Sequence, residues 1–213
     1  MEKLFAKQEK VINEKMDEMM TMIKNVEEKV GEMRKDIEVI QGDSAALRKE
    51  LEDLKITVEC ERQYARSRNI IISGIPFKKN EDLAQSITTL LGKMEIDIRT
   101  QDISTHRLPA KNENHSPAIL QLNSRAVRDR IIKAARKRKP DTGLINPDLP
   151  KKAIYFNDHL TPYFNTLMMK VKEISKKKNY KYVWMNGDRI MVRKDELSIG
   201  IRIIKLEDLD KMI

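Results

Sequence analysis

Basic residues gather at four places in this 213-residue chain. Arg62, Arg66 and Arg68 fall together. Arg125, Arg128, Arg130, Lys133, Arg136, Lys137, Arg138 and Lys139 follow one another at helical spacing, interrupted by a single acid, Asp129. Lys170, Lys172, Lys176, Lys177, Lys178 and Lys181 form a third group, and Arg189, Arg193, Lys194 and Arg202 a fourth. Guanidinium and ammonium groups at this density suit phosphate oxygens, which give affinity without sequence information. Aromatic side chains near them offer faces on which unpaired bases stack. The candidates are Tyr155, Phe156, Tyr180, Tyr182 and Trp184. In Tyr180–Trp184 strand alternation puts Tyr180, Tyr182 and Trp184 on one face and Lys181 and Val183 on the other; Trp184 is expected in the core.

Catalytic chemistry finds no support. His106, His115 and His159 are far apart and sit in no metal spacing. There is no Gly-rich phosphate loop and no nucleophile elbow. Asp158-His159 precedes Thr161, where Asp is ordinary at a helix start. One cysteine, Cys60, and three histidines cannot build a zinc finger or knuckle, so neither metal nor cofactor is expected. Cys60 reads as a coil-edge residue. No run of about 18 apolar residues occurs, and the N-terminus is charged from Glu2, so no membrane partner is expected. A reducing compartment follows, cytoplasm or nucleus; Arg136–Pro140 could pass as a nuclear localisation run.

Charge is divided unevenly. Residues 1–61 hold 11 of the 42 Lys/Arg and 16 of the 33 Asp/Glu, a net of −5, so residues 62–213 carry 31 against 17, a net of +14. A basic body of this kind fits a polyanionic partner.

The elements that must carry these residues begin with a heptad repeat. Met16, Ile23, Val30, Ile37, Ser44, Leu51 and Val58 take the a positions. Met19, Val26, Met33, Ile40, Leu47 and Leu54 take the d positions. A stripe this narrow is buried only by the same stripe on another helix, so a homo-oligomeric coiled coil is predicted over 1–61. Ile23, Val26, Val30, Met33, Ile37, Ile40, Leu47, Leu51 and Leu54 are its expected seam. Asp43 facing Arg48 and Glu50 facing Lys55 favour parallel strands, while the mixed a/d residues leave two or three strands open. Gly42-Asp43-Ser44 is a weak point of the helix, a candidate frayed or flexible joint.

A basic connector, 62–68, follows. Asn69–Ile75 reads as a buried strand. Asn80 is expected to cap a helix with Leu83, Ile87, Leu90, Leu91 and Met94 inward. Strands are predicted at Ile103–Leu108, Ala118–Leu122 and Ala153–Phe156, with Ser124 capping a basic helix. This βαββαβ order over 69–157 predicts a ferredoxin-like or RRM-like domain in an α+β protein. Ile71, Leu120 and Leu122 stand where RNA-stacking domains of that type carry aromatics, so little base specificity is expected. The C-terminal domain, 158–213, opens at Thr161-Pro162 with a helix. A hairpin turning at Asn186-Gly187, a strand at Ile201–Ile204 and a short last helix complete it.

These motifs together resemble the first-open-reading-frame proteins of LINE-type retrotransposons and the baculovirus few-polyhedra (FP) proteins. The resembling residues are Arg66–Pro76, His106-Arg107-Leu108, Ser116–Ile119, Val127–Lys137, Tyr155–Pro162, Tyr182-Val183-Trp184, Gly187 and Val192–Glu196. The terminal part is closest to the FP type. The resemblance implies a homotrimeric coil, and RRM-like and C-terminal domains that jointly clamp single-stranded RNA. It also implies nucleic-acid chaperone activity within a ribonucleoprotein. The expected contacts are Arg62, Arg66, Arg68, Arg107, Arg125, Arg128, Lys133, Arg136, Lys137, Arg138, Lys181, Arg189, Arg193 and Lys194. Many insect relatives carry zinc knuckles, and none is present here. The expected partners are single-stranded RNA or DNA and further copies of the chain. The competing expectation is a coiled-coil interaction scaffold with no RNA role.

Overall fold

A computed structural model describes residues 2–110 and 116–212, with side chains from Lys10 onward. His115 and most of the predicted 109–117 loop lie outside the described residues. The chain is α+β and divides into two compact units, residues 1–55 and 56–213.

Helix α1, Glu2–Ala65, supplies the whole of the first unit. It runs unbroken through Gly42-Asp43-Ser44. The helical bonds on either side outweigh a Gly penalty of about 1 kcal/mol. Met16, Ile23, Val26, Val30, Met33, Ile37, Ile40, Leu47, Leu51 and Leu54 are all exposed in the single chain. Among the described residues nothing in this unit covers the stripe that the heptads draw.

The second unit begins at Ile56, inside α1. Its first layer is β1 (Asn69–Ser73), α2 (Leu83–Lys93), β2 (Ile103–Arg107), β3 (Ala118–Leu122), α3 (Arg125–Arg138) and β4 (Tyr155–Asp158). The strands form one antiparallel sheet in the order β2-β3-β1-β4. Alternation decides the inner face. Ile70, Ile72, Ala118, Leu120, Leu122 and Phe156 meet Ile87, Leu90 and Leu91 of α2 and Ile131, Ile132 and Ala135 of α3. Leu120 and Leu122 therefore lie on the helix side of the sheet, contrary to the sequence expectation. The strand pairing places Ile71 opposite Ile119 on the other face, and Asn69 opposite Gln121. The N-cap of α2 also differs. Asn80 takes φ +59, which a cap residue cannot use, whereas Asp82 is extended and its side chain accepts from the Gln85 N–H at 2.9 Å.

The second layer is α4 (Pro162–Lys177) over β5 (Tyr182–Asn186), β6 (Arg189–Arg193) and β7 (Ile201–Ile203), ordered β5-β6-β7. Thr161 caps α4, its hydroxyl accepting from the Phe164 N–H at 3.2 Å, with Pro162 in the first turn. Asn186 pairs with Arg189, so the hairpin turns on Gly187-Asp188, one residue later than expected. Phe164, Leu167, Val171, Ile190, Val192 and Ile203 are the core.

The end of α1 belongs to this unit. Cys60 packs against the α4–β7 core rather than at a coil edge, and burial raises its thiol pKa. Gln63, 2% exposed, donates to the His159 carbonyl at 3.0 Å and accepts from the Thr161 N–H at 2.8 Å. Arg66 donates to the Leu160 carbonyl at 3.2 Å. The expected 62–68 connector is thus half helix, and its polar side chains clamp the β4–α4 junction.

Candidate nucleic-acid interface

The sheet orders set up the site. β4 is the edge of the four-stranded sheet and β5 the edge of the three-stranded sheet. A cleft of about 510 Å³ runs between them, lined by Tyr155 to Asp158, Val183, Trp184, Arg136, Lys139, Met168 and Lys172. A continuation of about 450 Å³ passes along α3, lined by Arg128, Lys133, Arg136, Trp184, Met185 and Asn186. Two strand edges expose backbone donors and acceptors on the outer side. The walls add cations and three aromatics: Phe156, which is buried in the sheet core, Trp184, and Tyr155, which is 61% exposed.

Four of the cations that line the cleft are exposed and show no carboxylate partner among the described residues: Lys133, Arg136, Lys139 and Lys172. α3 brings three of them together, because positions 133, 136 and 139 recur every three residues and share a helix flank. Lys139 closes the helix in the left-handed region, φ +46. Lys172 comes from α4, one turn after the buried Met168. Its four-residue spacing from Met168 was the available signal for its position.

The other expected contacts divide by what they already hold. Arg107 is fully engaged. Its Nε and Nη2 donate to Glu81 at 2.7 Å each, Nη2 also to the Pro76 carbonyl at 2.9 Å, and Nη1 to the carbonyls of Ile75 at 3.0 Å and Ser116 at 2.7 Å. All five N–H groups are used, which leaves none for a phosphate. Arg128 pairs with Asp158 and, at 2.5 Å, with Asp129. Arg62 pairs with Glu59, Arg138 with Glu95 and Arg189 with Asp188. Arg125 stacks on Tyr64 at 4.7 Å and donates to its hydroxyl, and Arg193 lies over Tyr182 at 4.9 Å. Lys194 lies 5.9 Å from the Tyr180 ring centre. Arg68, Lys137 and Lys181 are exposed but do not line the cleft. Of the residues chosen from sequence, Arg128, Lys133 and Arg136 do line it.

Trp184 departs from expectation. Val183 and Met185 turn to the α4–β7 core, so Trp184 on the alternate face is half-buried and looks into the cleft.

A second feature sits beside the Arg66 clamp. Asn69 Nδ2 lies 3.2 Å from His159 Nδ1. Burial is the main cause that lowers the His159 pKa below 6.5, followed by the charges of Arg66 and His106. The folded state therefore prefers the neutral ring, while the unfolded chain protonates near its ordinary value. Stability from this group is present above about pH 6.5 and lost as pH falls through the depressed folded value. The drop in melting temperature between about pH 7 and 5 is expected to be smaller in His159→Gln than in the parent chain. Equal drops would show that His159 does not govern that slope.

The whole of the α4–β7 unit, from its N-cap onward, carries the family signal. Residues 161–213 match the family model for Baculovirus FP protein domain 2. The match supports an FP-type reading of this part of the chain. No curated protein matches the sequence. Among the described residues no cluster of three or more His, Cys, Asp or Glu could hold a metal ion. None of the described helices is long and apolar enough to cross a membrane.

Proposed function

We propose that this chain is an oligomeric, largely sequence-independent binder of single-stranded nucleic acid, RNA above all. The observation that carries the reading is the cleft between the β4 and β5 edges, with Lys133, Arg136, Lys139 and Lys172 lacking carboxylate partners among the described residues and standing around half-buried Trp184. Phosphates would run along the cations, and Trp184 would take the face of an unpaired base. An open groove with an aromatic wall suits a flexible single strand better than a stacked duplex. The sheet order β2-β3-β1-β4 with two helices on one face supports an RRM-like assignment for the first layer. The open-face residues Ile71, Ile119 and Gln121 are not stacking platforms, which fits weak base discrimination.

In this reading the α1 stripe joins copies in a parallel coiled coil, a trimer by preference and a dimer otherwise. Arg66 and Arg68 lie near the root of the coil. Such an assembly would act as a nucleic-acid chaperone in a ribonucleoprotein of LINE-type or FP-type descent, in the cytoplasm or nucleus. The FP match at residues 161–213 supports the FP side of that descent.

Salt titration tests it. Each single-strand phosphate neutralised contributes about −0.7 to the slope of log affinity against log salt. The triple variant Arg136→Ala, Lys139→Ala, Lys172→Ala should flatten the slope by about 2 per binding unit. Trp184→Ala should cost about 1–3 kcal/mol on an unstructured oligonucleotide and leave the slope unchanged. A parent chain whose binding ignores salt, or a triple variant with the parent's slope, would remove the cleft from the function.

A further inference from the structure

Two further surfaces of the second unit stand out, one away from the cleft lining and one that adjoins the cleft and shares Met168 and Lys172 with it. The first is the β6–β7 loop, Asp195–Gly200. Leu197 is 98% exposed and Ile199 92%. The loop is nevertheless held in place. Asp195 Oδ1 accepts from the N–H groups of Leu197 at 2.9 Å and Ser198 at 2.8 Å, and the Tyr182 hydroxyl donates to Glu196 at 3.1 Å. Gly200 lies so close to Met191 that a Cβ there would come within 3.2 Å of its methyl carbon. Ser198, through its hydroxyl and then its N–H, holds the Asp195 carboxyl below its usual range. The loop therefore presents two bare aliphatic side chains beside two carboxylates, on a body of net charge +14.

The second surface is a groove of about 680 Å³ near the β4–α4 junction. Ile71, Leu160, Met168 and Met169 make an apolar floor, and Arg66 and Lys172 stand at its sides. Met169 is 67% exposed although it sits mid-helix. The acid in the groove, Asp158, is already paired with Arg128.

The loop and the groove match in chemistry: aliphatic for apolar floor, carboxylates for cations. We propose that the Asp195–Gly200 loop of one copy docks into this groove of another copy. Leu197 and Ile199 cover the Ile71–Met169 floor, and Asp195 and Glu196 face Arg66 and Lys172. Anionic lipid surfaces and nucleic acid are disfavoured occupants for the loop, because their negative charge would meet its two carboxylates. The contact joins different surfaces on the two copies, so it is head-to-tail and adds copies beyond those joined through α1.

The test uses the full chain, free of nucleic acid, in sedimentation velocity over a concentration series. The parent chain is expected to grow beyond the species seen at the lowest concentration. Leu197→Ser with Ile199→Ser removes two aliphatic contacts at fully solvated positions, and should weaken that growth about 100-fold. Met169→Glu should do the same from the groove side. In a Cys60→Ser background, mixing Ile199→Cys chains with Met169→Cys chains should give a mixed disulfide on mild oxidation. A parent chain that does not grow, or a double variant that grows like the parent, overturns the proposal. So does a double variant that self-associates normally but loses adhesion to anionic vesicles or to a single-stranded oligonucleotide. Binding to a short single-stranded oligonucleotide is measured alongside: the double variant alters none of Lys133, Arg136, Lys139, Lys172 or Trp184 and should keep the parent's salt slope, so lost growth reports on this contact and a lost slope on the nucleic-acid reading.

Discussion

Arg107→Ala is expected to lower folding stability by about 3–5 kcal/mol and to leave single-strand affinity of the folded fraction unchanged. The side chain is 14% exposed and its Glu81 partner 13%. Truncation removes five donated hydrogen bonds at once. It leaves a largely buried carboxylate and three carbonyls, of Ile75, Pro76 and Ser116, without their donor. Breaking such a pair costs more than the pair contributed, because the remaining charge stays desolvated. Arg107→Lys should recover little, since an ammonium cannot reproduce the planar fork. Chemical denaturation gives the stability, and titration of a fluorescent oligonucleotide gives the affinity. A variant with parental stability and weak binding would return Arg107 to the interface.

Separating the copies should have the largest effect on binding. A chain lacking residues 1–50 is expected to run as a single chain in light scattering. It should bind a long single strand about 10²–10⁴-fold more weakly, because linked sites share a high effective concentration. The cut is placed before Ile56, where the compact second unit starts. A cut after Val58 would remove the half-buried Ile56 and Val58, and so confuse lost avidity with lost packing. The same loss is expected from Asn at Ile23, Val30 and Ile37 in the full chain, which leaves the second unit untouched. Binding by the shortened chain at the parent's strength would show that one copy suffices.

Much of the fold was legible because local rules acted alone. β3 occupies the predicted Ala118–Leu122, and α4 starts at the predicted Thr161-Pro162, where a hydroxyl cap and a ring-locked φ both favour a helix start. The inward stripe of α2 was readable from its spacing. Misreadings arose where two local solutions were close. Asn80 and Asp82 are both good caps, and the backbone chose Asp82 by placing Asn80 at positive φ. A strand shows which residues alternate but not which set faces inward. Leu120 and Leu122 were therefore placed on the open face, and Trp184 in the core, when each lies on the opposite side.

The same distinction applies to the candidate site. Charge count and clustering depend on residue types alone, so the basic body was visible before any fold. Which cations lack an acidic neighbour depends on partners far away in sequence. Glu81 lies 26 positions from Arg107, and Asp158 lies 30 from Arg128. Only the folded chain could withdraw Arg107 and bring Lys172 into one cleft with Arg136.

By itself the sequence determined the heptad stripe, the α+β element order and the basic body, because each follows from periodicity or composition along the chain. The tertiary structure decided that the β4 and β5 edges face a common cleft, that Trp184 looks into it, and that Gln63 and Arg66 clamp the β4–α4 junction. Those relations join residues far apart along the chain through packing and paired donors, which spacing along one strand or helix does not encode.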